Sequence, residues 1–331
     1  MSTPQLNTSC GGFRIKFTEK GAHLFSKIIR FMGNVNCDFH LEVSSSGVVL
    51  TSLNNSLTAV ATCDLTASSF RDDDRLIDCL KLPPFEDIII LKLPIKPVKA
   101  MTKHNILNGS TSLSIYSESK SFIVVELDKS YFKMRQKMPY SAVSASMASF
   151  DDSEASYLSL SVNNFDEILS VISIDRAREM AITSDANSIR FRSFWSVDAL
   201  DDASRKMTSS FILDSASKDF ISTYEYKNES SESIKCVFAC KETKAFVAAI
   251  PKSNNQMIDI RYMNAGAPIK ISTQAPNYTM ELILSTLFDP QHAYIGDFFI
   301  DGGDMANSTG RPSDGFVSER DKVKAEEKSD Q

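Results

Sequence analysis

The sequence predicts an α+β protein made of two similar halves. Three observations carry this: an internal repeat, a surplus of strand patterns, and only four stretches with helical periodicity. The repeat runs at about 145 residues. Lys96-Pro97-Val98-Lys99-Ala100-Met101 recurs as Lys241-Glu242-Thr243-Lys244-Ala245-Phe246, and Leu113-Ser114-Ile115-Tyr116 is answered by Ile258-Asp259-Ile260-Arg261. Near the start, Phe13-Arg14-Ile15-Lys16-Phe17 matches Tyr157-Leu158-Ser159-Leu160-Ser161. A period this long implies two domains rather than a solenoid of small units.

Each element follows from local pattern. After the strand at 13–17, residues 20–32 place Leu24, Phe25, Ile28 and Phe31 on one helical stripe and Lys20, His23, Lys27 and Arg30 on the opposite one. Residues 39–43 and 48–53 flank Ser44-Ser45-Ser46-Gly47 as a hairpin. A second helix is predicted over 95–104. The latter half repeats the order, with a strand at 157–161, a helix over 163–174 and a hairpin from 182–183 and 189–192. A helix over 240–252 then opposes Thr243, Phe246, Val247 and Ile250 to Lys241, Lys244 and Lys252. Strands at 258–262 and 268–271 flank Asn264-Ala265-Gly266, and 279–284 closes the half. Helices this few must lie on one face of sheets this long. The expected domains are 1–138 and 156–302, joined by a small-residue linker at 139–155. A polar tail, 303–331, has Phe316 as its one aromatic residue and is expected to be disordered.

Composition bounds the function. The 331 residues are 42% hydrophobic and 24% charged, ordinary for two globular domains. A net charge of −6 argues against a surface coated in positive charge, but not against a local basic face. The first ten residues lack the pattern of a signal peptide, and no apolar run reaches the roughly 18–20 residues of a membrane helix. Six cysteines form no Cys-x-x-Cys pair and no zinc spacing, which fits a reducing compartment, cytosol or nucleus.

The charge distribution points to a partner. The four helical windows hold nine basic residues, Lys20, Lys27, Arg30, Lys96, Lys99, Lys103, Lys241, Lys244 and Lys252, against the acidic Asp166, Glu167 and Glu242. They total +6 in a chain of −6. Lysines along helix faces suit phosphates, which position a protein without supplying sequence information. These faces show no aromatic interleaving for base stacking. No phosphate loop, His-Glu-x-x-His or Gly-x-Ser-x-Gly is present, and the four histidines have no Ser or Cys partner at recognisable spacing. Asp72-Asp73-Asp74, Asp151-Asp152 and Asp201-Asp202 read as solvated turns. No catalytic residue, metal site or cofactor is expected.

Two basic-helix domains of this order resemble a subunit of a PCNA-like DNA sliding clamp, with antiparallel sheets outside and basic helices lining a channel. The closer resemblance is to the Rad-nine type subunit of the checkpoint clamp, the nine-one-one complex. It rests on the hairpin Gly47-Val48-Val49-Leu50-Thr51-Ser52-Leu53-Asn54-Asn55-Ser56, on Phe122-Ile123-Val124-Val125-Glu126-Leu127, on Ser149-Phe150-Asp151, on Gly266-Ala267-Pro268-Ile269 and on Leu282-Ile283-Leu284-Ser285-Thr286-Leu287. The resemblance implies two other clamp subunits, a clamp-loader ATPase, double-stranded DNA, and client checkpoint and repair proteins in the nucleus. It also implies subunit-joining strand edges, placed at Phe122, Val124 and Leu127 and at Met207, Phe211 and Leu213. In the tail, Ser318 precedes Glu319 and Asp321 and suits an acidophilic kinase. The chain departs from the family in its tail, about 28 residues beyond Gly303, and in Asp166 and Glu167 on the third helix. Alternatives are a homotrimeric processivity clamp and an interaction scaffold that never touches DNA.

Overall fold

The computed structural model describes residues 12–67, 75–84, 86–119, 121–143, 150–173, 178–194, 209–228, 233–252 and 256–287, all within one compact unit, Met1–Tyr294. The tail expected at 303–331, with Ser318, lies outside the described residues, as do Met207, Asp72-Asp73-Asp74 and Asp201-Asp202.

The first half runs β1 (Arg14–Phe17), α1 (Glu19–Val35), β2 (Asp38–Ser44), β3 (Gly47–Leu53), β4 (Ala59–Thr66), β5 (Ile77–Lys81), β6 (Ile88–Pro94), α2 (Ile95–Met101), α3 (His104–Leu107), β7 (Ser110–Ser119), β8 (Phe122–Lys129) and β9 (Phe132–Pro139). After the short β10 (Ser141–Ala142) the second half runs β11 (Ser156–Ser161), α4 (Val162–Ser173), β12 (Glu179–Ser184), β13 (Ser188–Phe194), β14 (Ser210–Asp214), β15 (Ile221–Glu225), β16 (Ile234–Ala239), α5 (Cys240–Ala249), β17 (Met257–Tyr262), β18 (Ile269–Ala275) and β19 (Tyr278–Leu284). Apart from α3 and β10 the halves match element for element. The basic repeat falls at equivalent places, opening α2 and α5.

Three antiparallel sheets result. Their orders are β5-β1-β7-β8-β9, then β10-β6-β2-β3-β4-β19-β18-β17-β11-β15, then β14-β13-β12-β16. The long sheet is the outer sheet of one half continued into that of the other, through the antiparallel pairing of β4 with β19. The helices cover the inner faces of these sheets. α1 packs on β1, β3, β4 and β7, α4 on β11, β13, β14 and β17, α2 on β8 and β9, and α5 on β12. Side by side they order as α2, α1, α5, α4.

Local chemistry sets the helix ends. The Thr18 hydroxyl accepts the Gly21 N–H at 3.1 Å and the Ser161 hydroxyl accepts that of Asn164 at 3.1 Å, so equivalent caps start α1 and α4. α2 stops at Thr102, whose hydroxyl donates to the Val98 carbonyl at 3.0 Å. α5 stops ahead of Pro251, which pushes Ile250 into extended backbone at ψ 133. The helices expected through 104 and 252 are therefore shorter, which leaves Lys103 and Lys252 just beyond them. The apolar stripes face inward as predicted: Leu24, Phe25, Ile28 and Phe31 of α1 are buried, as are Phe246 and Val247 of α5. Phe31 meets Phe246 edge-on, with centroids 5.4 Å apart, which locks the helix layer across the two halves. Cys63, Cys236 and Cys240 are buried among these apolar groups. Burial pushes the Cys236 thiol up to about 12, so it packs as a small hydrophobe.

Candidate nucleic-acid interface and strand edges

The side of the helix layer away from the sheets carries the cations. Lys20, Lys27 and Arg30 are exposed on α1, Lys96 and Lys99 on α2, Lys241 on α5, and Lys103 and Lys252 at chain turns just outside the helices, while Lys244 is half-buried. The helices share this surface. Lys99 Nζ reaches α1 opposite Gly33, 4.0 Å from where a Cβ would sit there. Lys27 is close enough to Arg30 and Lys252 to feel both charges. Partial burial pushes its amine down first, and those two cations lower it further. The His23 and His104 rings, 6.1 Å apart, lie between α1 and α3 on the same layer.

The second half is charged differently. Lys252 Nζ meets Asp166 Oδ2 of α4 at 2.6 Å, in an exposed ion pair. Glu167 is exposed on α4, and Lys244 is half-buried beside Cys240. α1 also opens with Glu19, one residue before the window read from the sequence. The first-half helices and caps thus hold six cations against one carboxylate, and those of the second half three against three.

The strand edges correct one expectation. β8 was expected to be an edge, but it pairs with β7 on one side and β9 on the other. Leu127 is buried in the core, and Val124 is buried on the outer face, beneath neighbours that include Lys137, its cross-strand partner. Only Phe122, at the strand's start, is exposed. The edge is β9. Its outer side carries Lys133, Arg135 and Lys137, in an alternation with Met134, Gln136 and Met138 that is itself the sequence signal for a charged strand face. Beneath it Glu126, 5% exposed, accepts from Arg135 Nε at 2.5 Å and from the Tyr116 hydroxyl at 3.1 Å, with Lys133 at 3.9 Å. A buried carboxylate is stable only with such partners.

The second expected edge, β14, has a strand on one side only among the described residues. Leu213 is buried, Phe211 packs on Phe220 with ring centroids 5.4 Å apart, and Ile212 is 57% exposed. Tyr131 at 96% and Phe132 at 52% are exposed beside β9. Of seven large exposed hydrophobic residues in the described chain, four (Phe122, Tyr131, Phe132 and Ile212) border these two edges. Asp151 and Asp152 form an exposed turn, in which Asp151 accepts the Ser153 N–H at 3.1 Å and Asp152 pairs with Arg261 at 3.5 Å. No group of three metal-ligating side chains occurs among the described residues.

Comparison with known proteins bears on this arrangement. A sequence model of the Rad9 family matches residues 25–287. No curated protein matches. Among solved structures, PCNA from Thermococcus kodakaraensis is similar at 10% identity and TM-score 0.62, over 83% of this chain and 99% of that one. Proliferating Cellular Nuclear Antigen from Entamoeba histolytica is similar at 14% identity and TM-score 0.60, over 83% and 99%. A chain of the PCNA2–PCNA3 complex from Sulfolobus tokodaii is similar at 12% identity and TM-score 0.61, over 83% and 100%. Likeness at these identities shows the fold, that of PCNA-type sliding clamps.

Proposed function

The chain belongs to the Rad9 family, and from that premise we propose that it is one subunit of a heterotrimeric DNA damage checkpoint clamp, which encircles duplex DNA without reading its sequence and holds checkpoint and repair proteins there. The observation that supports this best is the layering of the molecule. Four helices form one layer, sheets cover one side of it, and Lys20, Lys27, Arg30, Lys96, Lys99, Lys103, Lys241 and Lys252 reach solvent on the other. Exposed cations attract phosphates by screened Coulomb forces and counterion release, which holds a duplex yet lets the protein slide.

Two domains cannot close around a duplex, so β9 and β14 are the edges where two partner subunits would continue the sheets. The sequence contains no phosphate loop, so ring opening falls to a separate loader ATPase. Residence in the nucleus and phosphorylation of Ser318 belong to the same proposal. Imaging of the tagged chain tests the first, and checkpoint signalling after deletion of 304–331 tests the second. The central test is retention of the assembled complex on nicked circular DNA across a salt series. The complex should stay on circles, slide off once the DNA is linearised, and lose retention as salt rises. Equal retention on circular and linear DNA would overturn the clamp reading. The homotrimeric alternative predicts that the purified chain alone has three times its monomer mass.

A further inference from the structure

We propose that the duplex is held off-centre in this subunit, by α1, α2 and the turn before α3, while α4 and α5 form an electrically neutral wall that keeps water between protein and DNA. The inference rests on the clamp reading and assigns the phosphate contacts within it. Lys20, Lys27, Arg30, Lys96, Lys99 and Lys103 stand against Glu19 alone. In the other half Lys241, Lys244 and Lys252 stand against Glu242, Asp166 and Glu167.

Two cations of the second half also have close neighbours. Lys252 is in contact with Asp166 at 2.6 Å, and Lys244 is half-buried beside Cys240. A phosphate approaching Lys252 would have to displace a carboxylate already in place. One approaching α1 instead relieves the repulsion that Lys27 meets from Lys252 and Arg30. Distance separates the outer helices of the layer. Packed helices lie about 8–10 Å apart, so α2 and α4, separated by two helices, are roughly 25–30 Å apart. That is about three Debye lengths at physiological salt, so the charges of α2 are screened from the carboxylates of α4.

The test uses the complete complex on nicked circular DNA, with the logarithm of retention followed against the logarithm of salt for three variants. Lys96→Gln with Lys99→Gln should lower the slope by about 1.8, two contacts at about 0.9 each. Lys241→Gln with Lys244→Gln should lower it by much less than that. Asp166→Asn with Glu167→Gln should raise retention, because Lys252 loses its partner. Thermal melting and co-purification of partner subunits confirm that each variant folds and assembles. Equal loss in the first two variants would overturn the off-centre placement and leave the clamp reading standing. Loss confined to the second variant would reverse the placement and overturn it. Retention indifferent to salt and to all three variants would overturn both.

Discussion

The β4·β19 joint and the two edges β9 and β14 occupy equivalent places in the repeat, the joint closed within the chain and the edges left open. At the closed joint seven residue pairs run in register from Tyr278↔Leu65 to Leu284↔Ala59. Cys63, Leu65, Met280 and Leu282 point inward and are buried. Thr62, Asp64, Thr279 and Glu281 point outward, and Glu281 pairs with Lys270 at 2.8 Å. At the open places the inward side chains Leu213 and Met138 are still buried, but the outer row is Lys133, Arg135 and Lys137 on one edge and Ile212 and Asp214 on the other. Burial by the helix layer is thus a property of each half, whereas the outer row is adapted to what pairs with the strand. Charges on an unpaired strand deter indiscriminate pairing, and exposed apolar groups beside them reward the right partner.

Four experiments test this contrast between joint and edges. The largest effect belongs to the closed joint on its helix side. Phe31→Ala removes the aromatic contact that ties α1 to α5, and should cost about 3–5 kcal/mol in chemical denaturation. A loss under about 1 kcal/mol would mean that the two halves are held by the strands alone. Next, Glu126→Gln removes the carboxylate that accepts from Arg135 and Tyr116. Hydrogen bonds to a charged group are worth about 1.5–3 kcal/mol, and the thermal midpoint should fall accordingly. An unchanged midpoint would show that β9 holds its place without this network.

The open edges should show the reverse balance. Ile212→Asp or Phe132→Asp alters an exposed side chain, so the chain's own stability should stay within about 0.5 kcal/mol. Co-purification of partner subunits should nonetheless be lost. Retained assembly in both variants would place the subunit contacts elsewhere. The smallest effect concerns Lys27, which the closed joint brings beside Lys252. Its folded pKa lies below the unfolded value, so the fold binds that proton less well than the open chain does. The penalty is fully present at neutral pH and fades as pH rises through the folded pKa. Lys27→Met should therefore stabilise the chain slightly at neutral pH, solvent screening keeping the gain small, and less in alkali, while weakening DNA retention. Destabilisation at neutral pH would contradict the crowding at the joint.

Much of this was legible in the chain. Helical stripes such as Leu24, Phe25, Ile28 and Phe31 are read from spacing, because a side chain's face follows from the 3.6-residue turn. The hairpins around Ser44-Ser45-Ser46-Gly47 and Asn264-Ala265-Gly266 were visible for the same local reason. The edge carried over from the resemblance to Phe122–Leu127 was misplaced by one strand, and the apolar run there could not correct it, since a strand buried on both faces and a strand awaiting a partner read alike. The alternating run from Phe132 to Met138 held the better signal. For α2 and α5 the periodicity was right, and the ends were set by Thr102 and Pro251.

The sequence alone determined the two-fold repeat, the element types, the inward stripes and the surplus of cations on helices, because each depends on residues within a turn or a strand of one another. Only the tertiary structure decided which strand stands at an edge, that β4 closes on β19, and that Asp166 neutralises Lys252 across 86 positions of chain. Those outcomes depend on which distant segments pack together, and the pattern along any one segment is the same whether its neighbour arrives or not.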